Sequence, residues 1–354
     1  MYSYNNNIKH ICIIRLSALG DVTHVLPVIS TLKDYNPDIK ITWIIGKREY
    51  QLLSHIKDIN FIIFDKSKSL SSLLKVRRAL SSVVFDAMLL LQTSLRANIV
   101  SSVIKSKRKI GYDNIRSKEG HRFFVNEKIN YNKNQHVVDS FMSFLDKLNI
   151  RPKRYHWNYF PSTTSNLLVK KFYSDTKTNI LISPCSSVST RNWHPYRYSK
   201  LIDQLHQHYN CNIILCGGKS KLENEMGNQI CQLTESSPIN LIGKDTLHDL
   251  IELIRNAQLL ISPDSGPVHL ATCLNTPVIG LYAATDPFRS GPYNDIDNCI
   301  NKYMVAKKIY NITSNKWSLK IHNPKVMDLI EVDDVLQKIK LILEKHKGLN
   351  YASH

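Results

Sequence analysis

The residues of this chain best suited to chemistry lie in turns that follow short apolar runs. Pro263-Asp264-Ser265-Gly266-Pro267 comes after the apolar Leu259 to Ser262 and before Val268 to Leu274, a pattern that predicts strand, tight turn and helix. A helix that opens at such a turn presents unpaired backbone N–H groups and a partial positive charge, so it suits a phosphate. Gly266 lets an anion approach the main chain, and Asp264 or Ser265 can cap the helix. Pro267 offers no N–H but fits a first helical turn. The same letters also serve as an ordinary helix cap in many α/β proteins. The pattern repeats near the start, where Ile11 to Leu16 leads into Ser17-Ala18-Leu19-Gly20-Asp21. Here the turn carries a carboxylate that either projects from the ligand edge of a sheet or caps the helix that follows.

Positioning these turns requires parallel strands alternating with helices. After Asn275-Thr276-Pro277, Val278 to Tyr282 reads as another buried strand, completing a βαβ unit whose exit carries Thr285-Asp286-Pro287. In the first half, strands are predicted at 39–46, 61–64 and 83–91 and helices at 22–34, 47–55, 67–82 and 136–148. The rhythm restarts at 179, with strands predicted at 179–184, 211–216 and 240–243 and helices at 199–209, 223–234 and 247–257. Residues 332–346 form an acid-started, base-ended amphipathic helix, and 347–354 a frayed tail. The reading is an α/β chain of two Rossmann-like doubly wound domains with a ligand cleft between them. The predicted boundaries are 1–160, 161–330 and a C-terminal helix and tail at 331–354 that packs back on the N-terminal domain, with a crossing at 151–161.

Length and composition agree with two domains: 354 residues, 43% of them hydrophobic, supply two ordinary cores. Lys and Arg number 47 against 29 acidic residues, a formal charge of +18, which favours anionic partners. Seven cysteines show no CxxC pair and no Cys/His ligand spacing, so they read as reduced, mostly buried thiols. MYSYNNNIKH lacks the charged-then-apolar design of a secretion signal, and no run of 18 apolar residues suggests a membrane span. One segment, 104–134, is dense in Lys and Arg, interleaved with Tyr112, His121, Phe123 and Phe124, and breaks both helix and strand periodicity.

Four blocks in order, RLSALGDVTHVLPV, SPCSSVSTRNWHPYRYSKL, LCGG and PDSGPVHLATCLNTPVIGLYAATDP, resemble the heptosyltransferases of lipopolysaccharide core synthesis, glycosyltransferase family 9. GYDNIRSKEGHRFF and the later QHVVDSF look more like the heptosyltransferase I type. The resemblance implies a GT-B fold, ADP-L-glycero-β-D-manno-heptose as donor, Kdo on lipid A as acceptor, inversion at the anomeric carbon, and no metal or other cofactor. It implies work at the cytosolic face of the inner membrane, where a basic surface meets anionic lipid and phosphorylated acceptor.

The same resemblance assigns roles. Asp21 is the general base, and His24, one turn on, helps orient the acceptor or is an ordinary buried histidine. Ser186 and Ser187 contact phosphate, and Arg191, where relatives often carry Lys, holds the diphosphate or packs as a surface stem. Asp264 lies near the donor sugar and phosphates, and Ser265, Gly266, Val268 and His269 supply the anion-binding helix start. Glu223 either meets a ribose hydroxyl or is a solvated helix residue, and adenine lies near Gly243, Lys244 and Asp245. Arg116 and Lys118 hold the acceptor's carboxylate and phosphates or belong to a solvated charge run. Two other classes stand beside this one: a nucleotide-sugar epimerase or hydrolase on the same scaffold, and a basic nucleic-acid-binding protein. No nucleic-acid-binding motif supports the second, so nucleic acid is not expected as a partner.

Overall fold

The computed structural model describes residues 8–157, 159 and 167–351, with side chains up to 344. Of the predicted crossing at 151–161, residues 158, 160 and 161 lie outside the described residues, as does the end of the tail, 352–354. The chain divides into two compact units, Met1–Tyr159 and Phe160–His354.

The first unit contains β1 (His10–Ile14), β2 (Lys40–Gly46), β3 (Asn60–Phe64), β4 (Val84–Leu90), β5 (Lys105–Gly111) and β6 (Glu127–Lys128), all parallel in the order 3-2-1-4-5-6. The second contains β7 (Thr178–Ile182), β8 (Cys211–Leu215), β9 (Ile239–Asn240), β10 (Leu259–Pro263), β11 (Val278–Tyr282) and β12 (Ile300–Asn301), ordered 12-11-10-7-8-9. Counted from its own first strand, the second sheet repeats the first sheet's order, that of the doubly wound nucleotide-binding fold. The central strands are apolar end to end because helices cover both faces: every residue of β10 and β11 is buried.

Several predicted boundaries shift for local reasons. The helix predicted at 22–34 is two helices, Leu19–Thr23 and Leu26–Tyr35, the second with Pro27 in its first turn. The basic segment 104–134 is not irregular throughout. Lys105–Gly111 forms β5 beside β4, and the side chains of its polar half are held by neighbours: Lys107 Nζ lies 2.7 Å from Asp86, and Arg108 forks onto Glu127 at 2.6 Å through two nitrogens. β-Strand alternation is masked there by long cationic side chains that fold back onto acidic partners. The C-terminal helix runs Val332–Tyr351, past the predicted end at 346. Its Val335, Ile339 and Ile342 enter the core of the second unit with Trp193 and Tyr198. Of the seven cysteines all but Cys231 are buried.

Candidate active site

The carboxyl edge of the second sheet collects most of the predicted donor residues. At the exit of β10, Ser265 is the N-cap of helix Gly266–Leu274, but its side chain makes no capping bond. Its Oγ meets Ser262 Oγ at 2.8 Å instead. The expectation that Asp264 or Ser265 caps this helix is therefore not met, and the N–H groups of its first turn remain directed at the edge. Val268 and His269 are buried in that turn, and Pro267 contributes no donor.

Asp264 is 7% exposed. Its carboxylate holds Arg191 Nη1 at 3.0 Å, and the same nitrogen lies 3.4 Å from the Asp264 carbonyl. Two residues 73 positions apart, both predicted donor contacts, thus form one ion pair between a buried carboxylate and a half-buried guanidinium beside an uncapped helix start. Arg191 reaches there because the loop after β7 ends in a single 3-10 turn, Ser189–Arg191, anchored by Trp193 in the core. The guanidinium is already oriented by a carboxylate, which lowers the cost of presenting its remaining donors to an anion.

The predicted serines of that loop differ. Ser186 is buried, its N–H donating to Asn192 Oδ1 at 2.6 Å while its Oγ accepts from Val188 N–H at 3.4 Å. Ser187 is exposed. Asn192, a residue that carried no predicted role, has its other end buried: Nδ2 meets no hydrogen-bond partner among the described residues. A buried amide donor without a partner is costly, which marks it as a candidate ligand contact. No sequence pattern announces it, since Asn beside Trp is unremarkable in a loop.

Glu223 sits at the exit of β8, but its carboxylate is engaged locally. Oε1 accepts from Gly218 N–H at 2.8 Å and Oε2 from Ser220 Oγ at 2.5 Å, while Ser220 Oγ accepts from Glu223 N–H at 3.2 Å. This capping arrangement starts helix Lys221–Leu233 and fixes the Gly217-Gly218 turn. Nearby, Gly243 adopts φ +76°, where a Cβ would come 2.9 Å from Asn224 Oδ1. Asp245 follows it, its carboxyl pushed up to about 7 by burial and then by repulsion from Asp249 and Glu223. Lys244 Nζ donates to the Asn240 carbonyl at 2.9 Å.

In the first unit, Asp21 lies at the exit of β1, the central strand. Its Oδ2 accepts from Ala18 N–H at 3.0 Å and lies 2.5 Å from Arg15 Nη2. Asp21 thus caps its own short helix and is paired, while more than a third of its side chain stays exposed. Arg15, which carried no predicted role, is held by the Leu91 carbonyl at 2.6 Å and lies 5.3 Å over the Phe141 ring. Its signal in the sequence is only a charge inside an apolar strand exit.

The predicted acceptor residues fare less uniformly. His24 is 3% exposed and packs edge-on to His136, ring centroids 6.0 Å apart. Arg116 is 5% exposed and its donors are spent internally. It pairs with Asp113, donates to Gln135 at 2.9 Å, Ser140 at 2.8 Å and the Asn130 carbonyl at 2.9 Å, and lies over Tyr112 and Tyr131. It ties the loop after β5 to helix Val137–Asp146. Lys118 is exposed in the same loop.

Two parallel doubly wound units, one with a helix start and arginine suited to phosphate and the other with a carboxylate at its central strand, define an enzyme of the GT-B glycosyltransferase fold. The sequence matches Glycosyltransferase family 9 (heptosyltransferase) over residues 73–316. It is 39% identical over 335 residues to the lipopolysaccharide core heptosyltransferase OpsX of Haemophilus influenzae, covering 94% of this chain and 96% of that protein. The chain belongs to glycosyltransferase family 9. Among solved structures it resembles Escherichia coli ADP-heptose lipopolysaccharide heptosyltransferase II, with TM-score 0.72 and 18% identity, covering 96% of this chain and 99% of that one. It also resembles the Escherichia coli heptosyltransferase WaaC with ADP, with TM-score 0.66 and 20% identity, covering 85% of this chain and 99% of that one.

Proposed function

We propose that this enzyme, a lipopolysaccharide heptosyltransferase, moves L-glycero-D-manno-heptose from ADP-heptose to Kdo of lipid A, in the manner of heptosyltransferase I. The observation that carries the donor half is the Arg191–Asp264 pair beside the uncapped start of helix Gly266–Leu274. In this reading a Kdo hydroxyl attacks the anomeric carbon while the bond to the diphosphate oxygen breaks, which inverts the centre. Asp21 takes the hydroxyl proton, and Arg15 holds the carboxylate in place. The charge growing on departing ADP meets Arg191 and the N–H groups of Gly266, Val268 and His269, so no metal enters the scheme. Ser187 and the Asn192 amide complete the phosphate contacts, and Glu223 serves by shaping the Gly217-Gly218 turn, near which Gly243, Lys244 and Asp245 receive the adenine.

The enzyme works at the cytosolic face of the inner membrane, where its lipid acceptor resides. Consistent with peripheral attachment, no helix among the described residues is long and apolar enough to cross a membrane. The formal +18 charge favours an anionic surface.

The test is ADP release from ADP-heptose with and without deacylated Kdo-lipid A, in the presence of a chelator. Acceptor-dependent release is expected. Donor consumed without acceptor would favour an epimerase or hydrolase. Preference for an acceptor already bearing heptose would move the enzyme out of the heptosyltransferase I type.

A further inference from the structure

A second feature of the first unit lies on the same carboxyl edge as Asp21. Helices Ser69–Ala79 and Leu95–Ser102 follow β3 and β4, and between them runs an open groove of about 520 Å³. Phe64, Leu70, Leu73, Leu95, Ile99 and Val100 make its walls apolar. Water reaches much of this surface: Leu70 is 74% exposed, Leu95 52% and Ile99 41%. Leu74, one turn beyond Leu70 on the same helix face, is 55% exposed. Single exposed leucines are ordinary, but a continuous aliphatic groove marks a contact surface.

Charge around the groove narrows its occupant. Helix Ser69–Ala79 contains no acidic residue and continues its exposed leucine face into Arg77 and Arg78, with Lys75 beside them. Arg96 lines the opposite wall and is exposed. The one acidic lining residue, Glu119, turns its carboxylate to Leu95 N–H, while its carbonyl accepts from Asn98 Nδ2 at 2.9 Å. The loop so fastened also exposes Phe123 and Ile115 and carries Lys118 and Arg122. Aliphatic walls beneath a cationic rim match an anionic amphiphile, chains inward and headgroups against the arginines.

We propose that this groove docks the enzyme on an anionic lipid bilayer. The inference rests on the lipid-linked acceptor reading above and names the surface that meets the membrane. The test is co-sedimentation of the full chain with phosphatidylglycerol or phosphatidylcholine vesicles, donor and acceptor both absent. Binding is expected to phosphatidylglycerol and to be weak for phosphatidylcholine. Leu70→Glu with Ile99→Glu lowers phosphatidylglycerol binding at least about tenfold with the melting temperature unchanged. Arg77→Gln and Arg78→Gln each lower it about fivefold and flatten its salt dependence. Three outcomes overturn the proposal: no binding by the parent chain, binding indifferent to the Leu70 and Ile99 changes, or a dimer in sedimentation velocity that Leu70→Glu converts to monomer. Because vesicle binding needs no donor and ADP release is measured on a deacylated, water-soluble acceptor, either reading can fail alone.

Discussion

The two units wind six strands in the same order, yet their carboxyl edges are held by different means. In the second unit the edge is built from short turns whose polar groups bind one another: Arg191 to Asp264, Ser186 to Asn192, Ser262 to Ser265, Glu223 to Gly218. In the first, a single carboxylate, Asp21, stands at the exit of the central strand with one arginine behind it. Two of the first unit's other cations, Arg108 and Arg116, are spent on its own scaffold. One edge is thus a set of mutually bound polar groups, and the other a single carboxylate on a unit that also exposes a basic and aliphatic surface. The contrast suits a small, invariant donor on one unit and a large, lipid-linked acceptor on the other.

The sharpest way to break this contrast is Asp21→Asn. The amide can still accept from Ala18 N–H but loses the charge that pairs with Arg15. As general base, Asp21 is expected to contribute about 10²- to 10⁴-fold to kcat, so ADP release should fall by that factor with the affinity for ADP unchanged. Unaltered turnover would leave the first unit without a reactive group.

Next in size is Arg116→Met. If Arg116 is scaffold, its loss strands Asp113 and removes donors to Gln135, Ser140 and Asn130, at a cost of about 3 kcal/mol and several degrees of melting temperature. Lys118→Ala, at an exposed position in the same loop, should change stability by less than about 0.5 kcal/mol. A raised acceptor KM in Arg116→Met with an unchanged melting temperature would make Arg116 an acceptor contact and not scaffold.

A third prediction uses pH, because one buried group in each unit titrates in the opposite sense to the other. His121 is buried in the first, its Nε2 accepting from Tyr112 N–H at 3.0 Å, and burial, then Lys128, lowers its pKa to about 4. The unfolded chain takes up that proton first, so this contribution is complete above about pH 6.5 and is lost as pH falls towards 4. Asp245 in the second unit has its pKa raised to about 7, so the folded state holds a proton that the unfolded state gives up near 4. Its contribution is present below about pH 4 and is lost as pH rises to 7. Asp245→Asn should therefore stabilise the chain increasingly between pH 4 and 7, by no more than about 4 kcal/mol, read from urea midpoints. A gain independent of pH would remove burial of the charge as the cause.

How much of this was legible in the sequence follows from the same contrast. Strand, small-residue turn and helix form a local grammar, so the exits of β1 and β10 could be located, and with them Asp21 and Asp264, whereas Arg191 was indicated only by the resemblance to family 9. The strand order was not written there, although the alternation of elements restricted it to a doubly wound class. The basic stretch misled because periodicity counts residue types, not partners. Lys105–Gly111 is a strand whose cations fold onto Asp86 and Glu127, acids 19 or more positions away. Arg116 looked available for the same reason: nothing local reveals that Asn130, Gln135 and Ser140 converge on it. Glu223 was placed at the correct strand exit, but its engagement with Gly218 depends on the backbone path of the turn.

The smallest expected effect tests the receptor edge itself, at Asn192. Its Oδ1 accepts the Ser186 N–H, which a scaffold role explains, but its buried Nδ2 has no such explanation within the second unit. Asn192→Ala removes both functions and should weaken ADP binding about five- to tenfold, the range of one ordinary hydrogen bond. Asn192→Asp separates them. A carboxylate still accepts from Ser186 but sets a negative charge where the amide donor was. If Asn192 only shapes the loop, the aspartate variant binds ADP as the parent does. If Nδ2 faces the diphosphate, aspartate is worse than alanine, because like-charge repulsion is added to the lost donor. Titration calorimetry with ADP ranks the three chains, and parent, then Ala, then Asp in descending affinity is the order that a phosphate receptor at the exits of β7 and β10 requires.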